Sequence, residues 1–375
     1  MNAISPATIT TASRQWATRP ADERYTSLID MQQHFNAQRA VSRDRVISTR
    51  GFRAAPVDGD HKGLVVEALT GRAGSSTEVS LPTHWSFGQL ANLSGAPASY
   101  LRKLPSELAA DCFNYGMRQR DVGEVKLLLR DDLSNGVASL SAATGPNYGR
   151  IWNGDIVDAL VSRFGDGVEG KFRVPGEFGE IVPVTRENTT LYASDRDMFV
   201  FLADEQNRID IPDRRGGRTG AMARGFFVWN SEVGDGTFGI ATFLFDYVCK
   251  NRIVWGAEGY KEVRIRHTSG APDRYIEEVA PALVAYANSE TRSITEAIDG
   301  ARQARVENID DFLSKRFTTG QVKGIKLAHE VDEDRPIETV WDAVTGITAY
   351  ARGIPNQNDR VTVERAAGVI LSSLK

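Results

Sequence analysis

The stretch Ala223–Trp255, ARGFFVWNSEVGDGTFGIATFLFDYVCKNRIVW, constrains this chain more than any other. Two apolar runs, Gly225–Trp229 and Thr237–Val248, flank a polar segment, Asn230-Ser231-Glu232-Val233-Gly234-Asp235-Gly236. Aromatic and β-branched side chains fill both runs, and Asn, Asp and Gly fill the segment between. That pattern marks a long hairpin, or a strand running into a second buried element. Such an apolar stretch belongs at the centre of a core, and the other elements are expected to gather around it.

The rest of the chain can supply that core. Of 375 residues, 41% are hydrophobic and 25% charged, an ordinary balance for a globular protein of two or three domains. The net charge of −4 excludes a globally basic coat for duplex DNA, so any nucleic-acid contact must come from a local patch. Cys112 and Cys249 are the only cysteines, each in an apolar context, and they read as reduced thiols of a cytoplasmic protein. No run approaches the roughly 18 apolar residues of a membrane span. The first residues lack a charged segment followed by an apolar one, so neither a secretory signal nor a membrane partner is expected.

Four regions follow from the order of patterns. Residues 1–20 are rich in Ser, Thr and Ala and read as a flexible N-terminus. Residues 21–120 form a mixed region, with a helix from Pro20 through Gln38 and strands at Arg45–Ser48, Phe52–Pro56 and Leu64–Leu69. Within it, Thr83–Leu104 has the spacing of a helix-turn-helix, with Gly95 in the turn. Pro97 and Pro105 leave its second helix short for reading a major groove, which favours two short packed helices. Residues 121–270 form a central β-rich core. Strand patterns occur at Val125–Arg130, Val137–Ala142, Lys171–Val174, Ile181–Thr185, Thr190–Ala193 and Met198–Leu202, and Asn153 stands where it would N-cap a helix to Phe164. Residues 271–375 are helical, at Tyr275–Ala301, Val306–Lys315, Val340–Ala351 and Val361–Leu374. The expected fold class is α+β: a mostly antiparallel central sheet flanked by helices, with a helical C-terminal region.

Chemistry-bearing motifs are few. There is no phosphate-binding Gly-rich loop, no Gly-x-Ser-x-Gly elbow, no Cys-x-x-Cys and no paired histidines, so no cofactor and no metal are expected. Glu232 is a carboxylate between two apolar runs. It reads either as a general base working with Asn230, Asp155 and Arg130 in a cleft, or as a turn-building residue that binds backbone N–H groups or an Arg. Basic patches are the strongest local signal. Arg208–Arg224 carries five Arg against two Asp and reads as a surface loop. Lys250–Arg266 adds basic residues interleaved with aromatics. Arg214, Arg215, Arg218, Arg224, Lys250, Arg252, Arg264 and Arg266 would contact phosphates, and Trp255 and Tyr260 would stack bases.

The chain also resembles a family carried by phages and plasmids, domain of unknown function 932. The likeness rests on Gly225–Trp255 with its Asn230-Ser231-Glu232-Val233-Gly234 turn and Cys249-Lys250-Asn251. It extends to Gly95–Leu101, Leu129-Arg130, Leu140-Ser141 followed by Tyr148, Asn153-Gly154-Asp155 and Gly346–Arg352. Two positions depart from that pattern: Arg252 stands where Gly is usual, and the spacing from Ser141 to Tyr148 is lengthened. The resemblance implies a setting in mobile-element DNA metabolism and no particular activity.

Three readings follow. The leading one is a non-enzymatic protein, possible as a homo-oligomer, that binds or anneals single-stranded nucleic acid. The second is an enzyme on nucleic acid or nucleotides with Glu232 as acid/base. The third is an anti-defence or protein-interaction factor.

Overall fold

The computed structural model describes residues 20–57, 60–70, 76–132, 136–176, 181–247, 252–253, 263–288, 292–354 and 357–373. The fold is α+β, built on two sheets. β1 (Arg24–Tyr25) joins the larger sheet. β2 (Ser42–Ser48), β3 (Phe52–Val57), β4 (Asp60–Thr70), β5 (Ser76–Pro82), β6 (Glu124–Arg130) and β7 (Ala138–Thr144) form the smaller one, in the order β2-β6-β7-β5-β4-β3. Only the β5–β7 pairing in it is parallel. The single sheet expected over 125–265 is therefore divided, because β6 and β7 pair with the strands before them.

The larger sheet adds β8 (Phe172–Arg173), β9 (Leu191–Ala193), β10 (Met198–Asp204), β11 (Ile209–Arg214), β12 (Arg218–Asn230), β13 (Phe238–Asp246), β14 (Arg252–Ile253) and β15 (Val263–Ile265). Its spine is β1-β9-β10-β12-β13-β14, and all its pairings are antiparallel. The hairpin read from the sequence is β12–β13, in register from Trp229 opposite Gly239 to Met222 opposite Asp246. β10 beside it is buried along its whole length, as its unbroken apolar run MFVFLA requires when both sheet faces are covered.

Alternation along these strands builds two separate layers. One face carries Met198, Val200, Leu202, Phe226, Val228 and Ile240, packed with Leu28, Met31, Phe35, Ile156, Leu160 and Tyr286 from the helices Leu28–Ala40, Asn153–Phe164 and Ala280–Asn288. The opposite face carries Tyr192, Phe199, Phe201, Phe227, Trp229 and Phe243, a buried layer of stacked rings. Phe201 and Phe243 lie 4.4 Å apart between centroids. The small sheet buries Phe52, Val66, Leu127 and Leu140 against the helices His84–Leu93 and Ser106–Gln119. Between those two helices, the second member of the helix-turn-helix-like pair is one turn, Ala98–Leu101, too short to enter a groove.

The C-terminal region is helical as expected. Thr318 and Thr339 each close a capping box, with Gln321 and Asp342, at the starts of Thr319–Glu333 and Val340–Arg352. The helix Thr319–Glu333 has no counterpart in the sequence reading, because its apolar positions Val322, Ile325 and Leu327 are spaced among lysines and acids. Ile181–Thr185 forms no strand. No helix among the described residues is long and apolar enough to cross a membrane. Cys112 is half-buried and free, and Cys249 lies outside the described residues.

Candidate functional site

The tip of the β12–β13 hairpin is where the two sheets meet. Asn230, Ser231, Glu232 and Val233 are all buried, though the segment is polar, so each polar group needs a partner. The Asn230 amide donates to the Ile151 carbonyl at 2.8 Å and to Asn153 Oδ1 at 2.7 Å. Ser231 Oγ donates to the Arg196 carbonyl, and the Tyr148 hydroxyl donates to the Ser231 carbonyl. The Val233 carbonyl accepts from Trp85 Nε1 at 3.0 Å and Gln89 Nε2 at 2.7 Å. Gly234 turns the chain at φ 82°, a conformation that suits glycine.

Glu232 is held on both oxygens. Oε2 accepts from Arg130 Nη2 at 2.7 Å, and Oε1 accepts the backbone N–H of Asn153 at 2.7 Å. The carboxylate thus caps the helix Asn153–Phe164 from a distant part of the chain, where its charge also meets the positive end of the helix dipole. Asn153, the expected N-cap, is instead the first helical residue, and the side chain of the preceding Trp152 makes no cap. Burial lowers the Arg130 guanidinium from its ordinary value, and Glu232 opposes that shift. Arg130, Asn230 and Glu232 do converge, as the enzyme reading requires. Asp155 does not join them: it is exposed, farther along the helix. Each Glu232 oxygen already accepts one hydrogen bond, one from a guanidinium and one from a helix N-terminus, which is the arrangement of the turn-building alternative.

The basic residues divide sharply. Arg214 and Arg224 are in the interior, which removes both from any phosphate-contacting surface. Arg214 Nε donates to Glu333 Oε1 at 2.7 Å and Nη1 to Asp246 Oδ2 at 2.8 Å. Arg224 Nε donates to Asp204 Oδ2 at 2.9 Å and Nη1 to the Tyr286 carbonyl at 3.2 Å, with the guanidinium lying over the rings of Phe172 and Tyr286. The expected surface loop Arg208–Arg224 is instead the hairpin β11–β12 with a short 3-10 turn at Arg215–Gly217, packed beneath the C-terminal helices. Alternation explains the error: Arg224 follows Met222 and precedes Phe226 on the inward face, and buried arginine needs a carboxylate that is remote in sequence.

Arg215, Arg264 and Arg266 are exposed. Arg264 lies 5.7 Å over the Trp229 ring. Arg218 and Arg252 stand in β12 and β14, but their side chains, with Lys250, Trp255 and Tyr260, lie outside the described residues.

A second set of basic and aromatic side chains surrounds the hairpin tip, and sequence reasoning missed most of it. Trp85 and Trp152 are half-buried and pack on one cluster, Leu128, Ala142 and Val233. Arg39 sits 3.8 Å over the Trp152 ring, and Arg196 sits 5.8 Å over the Trp85 ring. Between them lies Arg130 on Glu232. Beneath, buried Arg150 donates to Asp44 at 2.7 Å and faces the rings of Tyr148 and Trp152. Four arginines and two indoles from five separate segments thus gather at one junction. The only sequence signal is an isolated Arg or Trp at each position.

No protein-family model, curated protein or solved structure matches the chain.

Proposed function

We propose that the chain binds single-stranded nucleic acid, in the setting of mobile-element DNA metabolism that its family resemblance implies, and that the contact face is the junction of the two sheets. The observation that carries this reading is the pairing of solvent-reaching arginines with half-buried indoles around one buried hairpin tip, Arg39 on Trp152 and Arg196 on Trp85. Guanidinium groups neutralise phosphates, and indole faces stack on any base without regard to sequence. The tip beneath is tied down by the hydrogen bonds of Asn230, Ser231, Glu232 and Val233, which lowers the ordering cost of presenting the face. Exposed Arg264 and Arg266 extend the basic surface along the edge strand β15.

The test is fluorescence anisotropy with an unstructured labelled oligonucleotide at two salt concentrations. Binding should be salt-sensitive. It should weaken at least about tenfold in Arg39→Ala/Arg196→Ala and in Trp152→Ala, each group being worth about 1–3 kcal/mol. Absence of binding at low salt, or indifference to these substitutions, rejects the reading. The enzyme reading keeps the convergence of Arg130, Asn230 and Glu232, without Asp155. The protein-interaction reading retains one observation, the exposed Leu69, Val79 and Leu81 on the small sheet.

A further inference from the structure

A pocket of about 230 Å³ opens on the helical side of the small sheet, between β4, the end of β5 and the helices His84–Leu93, Ala98–Leu101 and Ser106–Gln119. Its body is apolar, made by Leu64, Pro82, Phe87, Leu101, Leu104 and Ala109. Leu64, Phe87 and Leu101 also line an adjoining apolar void of about 10 Å³ against Leu90 and Phe113, so the inner wall is not close-packed. Such a cavity suits a small ligand with an apolar body.

Arg102, the C-cap of Ala98–Leu101, is exposed and lines this pocket. Its guanidinium lies 5.0 Å over the Phe87 ring, and Nη2 donates to the His84 carbonyl at 2.8 Å. Arg53 and Arg130 on the same sheet are each paired with a glutamate, but Arg102 meets no carboxylate among the described residues. Partial burial lowers it from its ordinary value, and no acid opposes that shift. A guanidinium carries five N–H donors, so most of them stay available beyond the one carbonyl contact.

Nothing in the lining offsets that charge. Among the described residues, none that lines the pocket carries a carboxylate. Glu107, the nearest acid in sequence, is exposed and outside the lining.

The helix Ser106–Gln119 adds to the same polarity. Its N-terminus reaches the pocket through Ser106, and no side chain caps it. The positive end of its dipole favours an anion there. An apolar body beside one arginine, one helix start and no acid is the complement of an apolar chain that ends in a single anionic group. A planar carboxylate matches the guanidinium fork.

We propose that this pocket binds a small aliphatic monocarboxylate, its chain against Leu64, Leu101 and Leu104 and its carboxylate on Arg102. The inference does not rest on the single-strand reading. On the helix His84–Leu93, His84 and Phe87 line the pocket, whereas Trp85 and Gln89 bind the hairpin tip.

The experiment titrates the full chain, labelled with 13C at leucine methyl groups, with octanoate and separately with acetate and octylamine. Acetate keeps the head group without the chain, and octylamine keeps the chain with the opposite charge. The Leu104 methyl resonances are assigned by Leu104→Met. Octanoate should shift them saturably, and acetate and octylamine should bind at least about tenfold more weakly. Calorimetry on unlabelled protein should give the same order, and Arg102→Met should weaken octanoate at least about tenfold. Arg102 is exposed, so that variant retains the fold, and the calorimetric arm does not depend on Leu104→Met folding. The proposal is overturned if octanoate does not bind saturably, if acetate or octylamine binds as tightly, if the Leu104 resonances stay fixed while octanoate binds, or if Arg102→Met binds octanoate as the parent does. A short peptide ending in a free leucine carboxylate that binds more tightly than octanoate would overturn the assignment to a free acid.

Discussion

Arg130 and Glu232, 102 residues apart in the chain, meet at 2.7 Å between the small sheet and the tip of the central hairpin. The contact ties β6 to the β12–β13 turn, and through the second Glu232 oxygen it ties both to the helix Asn153–Phe164. Three elements therefore share one carboxylate. Glu232→Gln keeps the acceptor for Asn153 N–H but strands the Arg130 charge. Urea unfolding followed by tryptophan fluorescence should show destabilisation of roughly 3 kcal/mol. Adding Arg130→Met removes the stranded charge and should recover a large part of that stability. A double variant no better than the single one would mean that the pair itself, and not the orphaned cation, carries the stability.

Arg224 makes the contrast with a surface arginine testable. Arg224→Met leaves Asp204 buried without its guanidinium, and Lys171 at 3.7 Å is a poor replacement. The expected destabilisation is about 3–5 kcal/mol, with oligonucleotide affinity at the junction unchanged. Arg196→Ala should do the reverse. Arg224 and Arg196 exchanging these phenotypes would return Arg224 to the contact surface.

The salt dependence of binding counts phosphates. For single strands, each phosphate that the protein neutralises adds about 0.7 to the steepness of log K against log salt. Arg39→Ala and Arg196→Ala should each flatten the slope by about that amount, and Arg214→Lys should not. A slope that none of these variants alters would place the binding face elsewhere.

Period-2 and period-3.6 patterns made most elements legible. β10, β12 and β13 were readable because both their faces are buried, and the helices at Val340 and Gln357 because their apolar stripes are regular. Pairing was not readable. β6 and β7 look like the opening of the central sheet, yet β6 pairs with β2 and β7 with β5, a choice made by side chains far away in sequence. The site failed for the same reason. Glu232 and Arg130 could be singled out as odd residues, but whether a buried charge is satisfied depends on a partner that sequence does not place. Arg214 and Arg224 show that gap: an Arg-rich string with glycines has the composition of a mobile basic loop, while alternation along β12 sends Arg224 inward to Asp204 and the register shift between Ile211 and Arg214 in β11 turns Arg214 inward to Glu333.

Two desolvated histidines set an acid limit. Burial holds His267 down to about 4 from its usual 6.5, in a half-buried position stacked on Tyr148 at 4.8 Å, and burial lowers His329 as well. Both titrate lower in the folded chain than in the unfolded one. The unfolded state therefore binds more protons in that interval, and stability falls as pH drops below about 6.5 toward 4. Each histidine contributes at most about 1.4 kcal/mol per pH unit there. Stability measured by urea unfolding should decline from pH 6.5 downward, and His267→Gln should make that decline shallower. A flat profile between pH 6.5 and 5 would mean that neither ring is held neutral by the fold.

Gly239 faces Trp229 directly across the hairpin, and a Cβ built on it would lie 1.9 Å from Trp229 Cζ2. The indole lies flat over the glycine because nothing projects there. It stacks on Phe227 at 5.2 Å and carries the Arg264 guanidinium. Gly239→Ala must push the ring out of the aromatic layer of Tyr192, Phe199 and Phe227, since backbone on both strands is fixed by the ladder. Overpacking of this kind costs about 1–3 kcal/mol or more. The variant should unfold at lower urea concentration, and its near-ultraviolet circular dichroism should lose the signal of a stacked indole. Gly236→Ala is the control: a Cβ there meets nothing within 4 Å, so stability should stay within about 0.5 kcal/mol of the parent. If Gly239→Ala were as mild as Gly236→Ala, the Trp229 ring would have room to shift, and the hairpin would not be held by close approach at this pair.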